Sequence, residues 1–181
     1  MAVSSDAARE IFVVGLRNTH GLEVQALQIM NRQVERLENY PEVEQSLRRH
    51  IQETEGQRQR LEDVMGKLGE TPSAIKEAAM GFMGNMAAIV HAPADDEIIK
   101  NMLANHGFEN YEIAAYKSLL IMAESAGFNN VTGFQQSLRE EQAMAQAGIV
   151  EDRLRIGPQL TQHRKNSACK TQVDEPIPGW A

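Results

Sequence analysis

Residues 16–30 read Leu16-Arg17-Asn18-Thr19-His20-Gly21-Leu22-Glu23-Val24-Gln25-Ala26-Leu27-Gln28-Ile29-Met30, and the order of apolar and polar side chains in this stretch decides the fold. Leu16, His20, Glu23, Leu27 and Met30 are separated by alternating steps of four and three, which places them on one face of an α-helix. Val34 and Leu37 continue the same steps. A His and a Glu one turn apart therefore stand inside an otherwise apolar stripe. A carboxylate buried in such a stripe is costly unless something compensates it. When several helices do this together, a metal ion is the commonest compensation.

The pattern recurs. His50-Ile51-Gln52-Glu53 and His106-Gly107-Phe108-Glu109 repeat the grammar of His20-Gly21-Leu22-Glu23, each within a segment that reads as amphipathic helix. The first helix starts after the capping residues Ser4-Ser5-Asp6 and runs to about Asn39, where Tyr40-Pro41 ends it. Pro41 suits the first turn of a second helix, which ends near Leu68 with Gly69 as its cap. Along it Val43, Leu47, His50, Thr54, Gln57, Leu61 and Val64 keep the four-three steps, with Glu53 beside the seam. The short connection makes the first two helices an antiparallel hairpin.

A segment of different character follows. Ala74 to Val90 is apolar and small, with Met80, Met83, Met86 and the glycines Gly81 and Gly84. It reads as a shorter helix in a long crossover, its methionines serving as adaptable core filler more readily than as soft-metal ligands. Pro93-Ala94-Asp95 caps a third long helix ending near Gly127, with His106, Glu109, Ile113, Tyr116 and Leu120 on its inner face and Glu112 one turn beyond Glu109. A fourth begins after Asn129-Asn130 and carries Phe134, Leu138, Glu141 and Ala145, with Glu140 adjacent to the stripe. Residues 1–164 form a single helical bundle in this reading. Residues 165–181, ending Pro176-Ile177-Pro178-Gly179-Trp180-Ala181, form a tail without periodicity.

Composition agrees. Of 181 residues 42% are hydrophobic and only 5% aromatic, which suits one all-α domain with a sizeable core. A net charge of −7 without any basic block excludes nucleic acid as a partner. No apolar run reaches membrane-spanning length, and the first residues lack a signal-peptide pattern. The lone Cys169 cannot form an intramolecular disulfide, so a reducing, cytoplasmic setting is expected.

Glu from each of four helices at mid-length is how carboxylate-bridged dimetal sites are built in bundles. Two buried divalent ions need about four carboxylates, and oxygen donors with imidazole suit iron or manganese. The candidate ligands are Glu23, Glu53, Glu109, Glu112 and either Glu140 or Glu141. His20, His50 and His106 can ligate or orient carboxylates from behind. Tyr111, Tyr116 and Gln57 can hydrogen-bond near the site. The common Glu-x-x-His pattern is absent, since Gly56 follows Glu53 by three and Ala143 and Met144 follow Glu140 and Glu141.

Four ordered motifs carry a family resemblance: Leu22-Glu23-x-Gln25; His50-x-x-Glu53-Thr54-x-Gly56-Gln57; Glu109-x-Tyr111-Glu112-Ile113-Ala114-x-Tyr116; and Leu138-x-Glu140-Glu141. Over roughly residues 8 to 147 the chain resembles the YciE/YciF family of bacterial stress-associated, ferritin-like proteins. The resemblance implies a ferritin-like up-down four-helix bundle, related in architecture to rubrerythrins, dimeric, with a dimetal centre. Its implied ligand positions are Glu23, His50, Glu53, Glu109, Glu112 and the Glu140-Glu141 pair. Three functions follow as expectations: a stress-response dimetal protein acting on peroxide or oxygen, a metal-sequestering protein without turnover, and a purely structural or interaction bundle.

Overall fold

The computed structural model describes residues 5–35, 37, 41–71 and 97–147, and among them it shows four helices and no strand. Helix α1, Ser5–Val34, has Asp6 in its first turn, where a carboxylate complements the positive end of the helix dipole. It stops short of Asn39. α2, Pro41–Lys67, already begins at Pro41. Leu37, between the two helices, donates its N–H to Val34 C=O at 3.3 Å and is buried.

Two glycines end helices as the spacing predicts. After α2, Glu70 N–H bonds Met65 C=O at 3.0 Å and Gly69 N–H bonds Gly66 C=O at 3.1 Å, with Gly69 at φ 90°. After α3, Glu97–Ser125, Phe128 N–H bonds Ala123 C=O at 2.8 Å and Gly127 N–H bonds Glu124 C=O at 3.0 Å, with Gly127 at φ 69°. Both are paired wraparound bonds closed by a left-handed residue, a conformation that costs glycine least. Residues 128–131 then lead into α4, residues 132–147. The expected crossover helix with Met80, Met83 and Met86, the Pro93 cap and the tail lie outside the described residues.

Contacts fix the helix directions. Gly15 lies against Met122, Glu23 bonds Tyr116, and Gln33 exchanges amide bonds with Asn105, so α1 and α3 run antiparallel. Arg17 pairs with Glu70 and His20 with Glu62, making α1 and α2 antiparallel too. Arg60 with Ser137 and Gln57 with Glu141 set α4 antiparallel to α2. Thus α2 leaves the bundle at the Phe12 end and α3 enters at the Met30 end, so α2 and α3 run parallel and the order is up-down-down-up, the connectivity of a bundle with one long crossover.

The interior is stratified. Phe12, Leu16, Leu61, Val64, Met65, Tyr116, Leu119, Ala123 and Phe134 form one buried cluster. Ala26, Met30, Val34, Leu37 and Leu47 form another. Each fully buried large apolar side chain contributes roughly 1.5–3 kcal/mol. Between the clusters every helix turns polar at once. No helix among the described residues is long and apolar enough to cross a membrane.

Candidate metal centre

Helical spacing delivers the polar layer. Glu23 comes from α1; His50, Thr54 and Gln57 come from α2 in steps of four and three; Glu109, Glu112 and Tyr116 come from α3 in steps of three and four; Ser137 and Glu141 come from α4 one turn apart. All are buried, and among Glu23, His50, Glu109, Glu112 and Glu141 none is more than 5% exposed.

His50 Nε2 lies 3.0 Å from Glu109 Oε1. A donor atom of His50, of Glu109 and of Glu141 can be chosen so that all three lie within 4.8 Å of one another. Tyr116 donates its hydroxyl to Glu23 Oε1 at 2.7 Å, and Gln57 donates to Glu141 Oε1. Each helix thus gives the layer a carboxylate or an imidazole, and Tyr116 and Gln57 steady Glu23 and Glu141 from facing helices.

The layer is short of positive charge. Burial pushes the Glu23 carboxyl from its ordinary 4.5 up to about 8, against the lowering effects of the Tyr116 hydrogen bond and the His50 charge. Burial, then the charges of Glu109 and Glu23, raise Glu141 to about 9. Glu112 is raised well above the carboxylate range by burial and by Glu23, Glu141 and Glu109. Burial works against the His50 imidazolium, but the Glu109 hydrogen bond and charge outweigh it and lift His50 to about 9. Burial, followed by the Glu23 charge, raises Tyr116 well above its ordinary value.

Buried oxygens show the same shortage. Glu23 Oε2, Glu109 Oε2, Glu112 Oε1 and Glu141 Oε2 have no hydrogen-bond partner, nor has His50 Nδ1. Protein interiors pair nearly all such atoms. Four unpaired carboxylate oxygens in one layer fit divalent cations, and oxygen donors with one imidazole fit the harder transition ions. His50, Glu109 and Glu141 are the group whose geometry could hold an ion directly.

The structure places the remaining candidates elsewhere. Glu141 faces the layer, whereas Glu140 turns to Arg60 and accepts from Gln136 at 2.8 Å and from Gln57 at 3.2 Å. Glu53 is 40% exposed, with Oε2 3.8 Å from His50 Nδ1. His20 is buried, but its Nε2 meets Glu62 Oε1 at 2.9 Å rather than Glu23. His106 is half-buried beside Asn110, and Tyr111 is exposed. Spacing did not single out Arg60, Glu62 or Ser137. Arg60 follows Gln57 by one turn and Ser137 precedes Glu141 by one turn, so the face shared with a polar core residue was the available signal.

A four-helix bundle whose helices all send ionisable side chains into a buried mid-height layer is a helical protein with a core able to accept metal. By sequence the chain belongs to the family described as Domain of unknown function (DUF892), which matches residues 7–148 and includes every residue of the layer. A crystal structure of a protein from Xanthomonas campestris pv. campestris is similar with TM-score 0.71 at 25% identity, covering 87% of this chain and 98% of that one. YcfI from Rhodopseudomonas palustris, described provisionally as a structural protein, is similar with TM-score 0.61 at 26% identity, covering 82% and 96%.

Proposed function

We propose that the polar layer holds a carboxylate-bridged pair of divalent cations, iron or manganese, ligated by Glu23, His50, Glu109, Glu112 and Glu141. The observation that carries this reading is the set of four buried carboxylate oxygens without partners, one on each of those glutamates. Bound there, such a pair supplies redox chemistry toward oxygen or peroxide. The protein's own part is positional: Tyr116 orients Glu23, Gln57 orients Glu141, and the two apolar clusters seal the layer from water at either end. The fuller proposal is a cytoplasmic, homodimeric, ferritin-like protein of the YciE/YciF kind acting during stress.

A structural bundle is the second reading, and one observation favours it. Glu23, Glu112 and Glu141 all have raised proton affinity, so protons alone can neutralise the layer near neutral pH. Elemental analysis after anaerobic reconstitution and desalting separates the two. Retention of about two iron or manganese ions per chain, with a higher melting temperature, supports the dimetal reading. A melting temperature indifferent to metal and chelator overturns it. Iron retained without peroxide being consumed faster than by free iron leaves sequestration as the function.

A further inference from the structure

The five proposed ligands are sealed inside the bundle, so a cation needs a way in. Between α2 and α4 runs a groove of about 370 Å³, and its lining includes His50, the imidazole of the layer, together with Glu53, Arg49, Gln136, Arg139 and Ala143. A water takes about 30 Å³ in the liquid, so the groove admits a hydrated ion. A second groove, between α1 and α3, is lined by Gly15, Asn18, Leu22, Tyr111, Ala114 and Met122 among others, and touches none of the five.

His50 faces both ways. Nε2 is engaged by Glu109 inside the layer, while Nδ1 is buried and has no hydrogen-bond partner. His50 is 4% exposed and is one of the residues lining the groove. Glu53, one turn along α2, is half-exposed, with Oε2 3.8 Å from that nitrogen. This is too long for a hydrogen bond. Two donors each about 2.1 Å from one ion stand about 3–4 Å apart, and the observed separation falls in that window. Glu140, the other carboxylate of the groove, is already engaged by Arg60, Gln57 and Gln136.

We propose that the α2/α4 groove is the route by which a divalent cation reaches the buried carboxylates, with Glu53 and His50 Nδ1 forming an outer transit site along it. This rests on the cation-holding role proposed above. Glu53 takes the hydrated ion at the surface, shares it with His50, and releases it inward as the buried carboxylates replace the remaining waters.

The test uses metal-free full-length protein and cobalt(II) alone, with visible absorption followed by stopped flow and the bound metal counted after desalting. Glu53→Gln is expected to load about tenfold more slowly or worse, yet to bind as many ions as wild type at equilibrium. Ala143→Trp, which fills the groove from an exposed position, is expected to slow loading similarly. Ala114→Trp, in the other groove, is expected to load at the wild-type rate. Loading of Glu53→Gln and Ala143→Trp at the wild-type rate overturns the route. Fewer ions bound by Glu53→Gln with no change in rate makes Glu53 a ligand of the inner site and overturns its transit role. Failure of wild type to retain any cobalt overturns the proposed function itself, and the route with it.

Discussion

Tyr116 on α3 donates its hydroxyl to Glu23 Oε1 on α1 at 2.7 Å, with both side chains fully buried. The bond joins the phenol of one apolar cluster to the carboxylate layer next to it. Tyr116→Phe keeps the ring and deletes the donor, leaving Glu23 with neither oxygen paired. The metal-free protein is expected to lose about 1–3 kcal/mol, read from urea denaturation at pH 7. An unchanged midpoint would show that Glu23 gains nothing from the bond.

The pH dependence of stability has a definite sign. Glu23 and Glu141 rise from 4.5 unfolded to about 8 and about 9 folded, so between those limits the folded chain holds protons that the unfolded chain has released. His50, raised from 6.5 to about 9, acts in the same direction over its own interval. The stability of metal-free protein is therefore expected to fall as pH rises from 5 toward 9, by at most about 1.4 kcal/mol per pH unit for each group. Cations compete with those protons, so metal affinity is expected to rise over the same range. Chemical denaturation at pH 6 and pH 8.5, with chelator and with manganese, checks both slopes.

Glu112→Gln removes a buried carboxylate one of whose oxygens has no hydrogen-bond partner. Without metal the variant is expected to gain about 1–3 kcal/mol at pH 8.5, because no charge has to be accommodated there. With metal it is expected to retain no more than about half the cations of wild type. Gain in one state and loss in the other is the signature of a ligand; loss in both would mark a structural residue.

His20 is tested through its partner. Glu62→Ala leaves a buried imidazole with Nε2 unpaired in addition to Nδ1, which already lacks a partner. A loss of about 1–3 kcal/mol is expected, with unchanged metal content. A fall in metal content would bring His20 into the site.

Gly15 marks the close approach of α1 to α3, since a Cβ there would meet Met122 Sδ at 2.6 Å and Leu119 Cδ1 at 3.3 Å. Met122 is flexible and can yield to one methyl, and alanine gains about 1 kcal/mol of helix propensity, so Gly15→Ala is expected to be nearly neutral. Gly15→Ile has no such room and is expected to cost about 1–3 kcal/mol by thermal or urea denaturation.

Much of this molecule is written in single-helix periodicity. The four-three steps through Leu16, His20, Glu23 and Leu27 put Glu23 in the core, and the structure finds it fully buried. Gly69 and Gly127 announced the two helix ends at which the structure finds left-handed caps. Such signals are local: a helix turns about 100° per residue, so a seam can be located from its own residues. Partners cannot. Glu140 and Glu141 are neighbours on one helix, and it is Arg60, across on α2, that draws Glu140 outward while Gln57 holds Glu141 in. The three His-x-x-Glu repeats are alike in sequence, yet His50 meets Glu109, His20 meets Glu62 and His106 stays beside Asn110. The sequence by itself determined the long helices, the glycine caps at Gly69 and Gly127 and the place of Glu23 in the core. Tertiary structure alone decided which of those polar groups meet, because that depends on how the helices are rotated and staggered against one another, and a residue's spacing along its own helix carries no record of either.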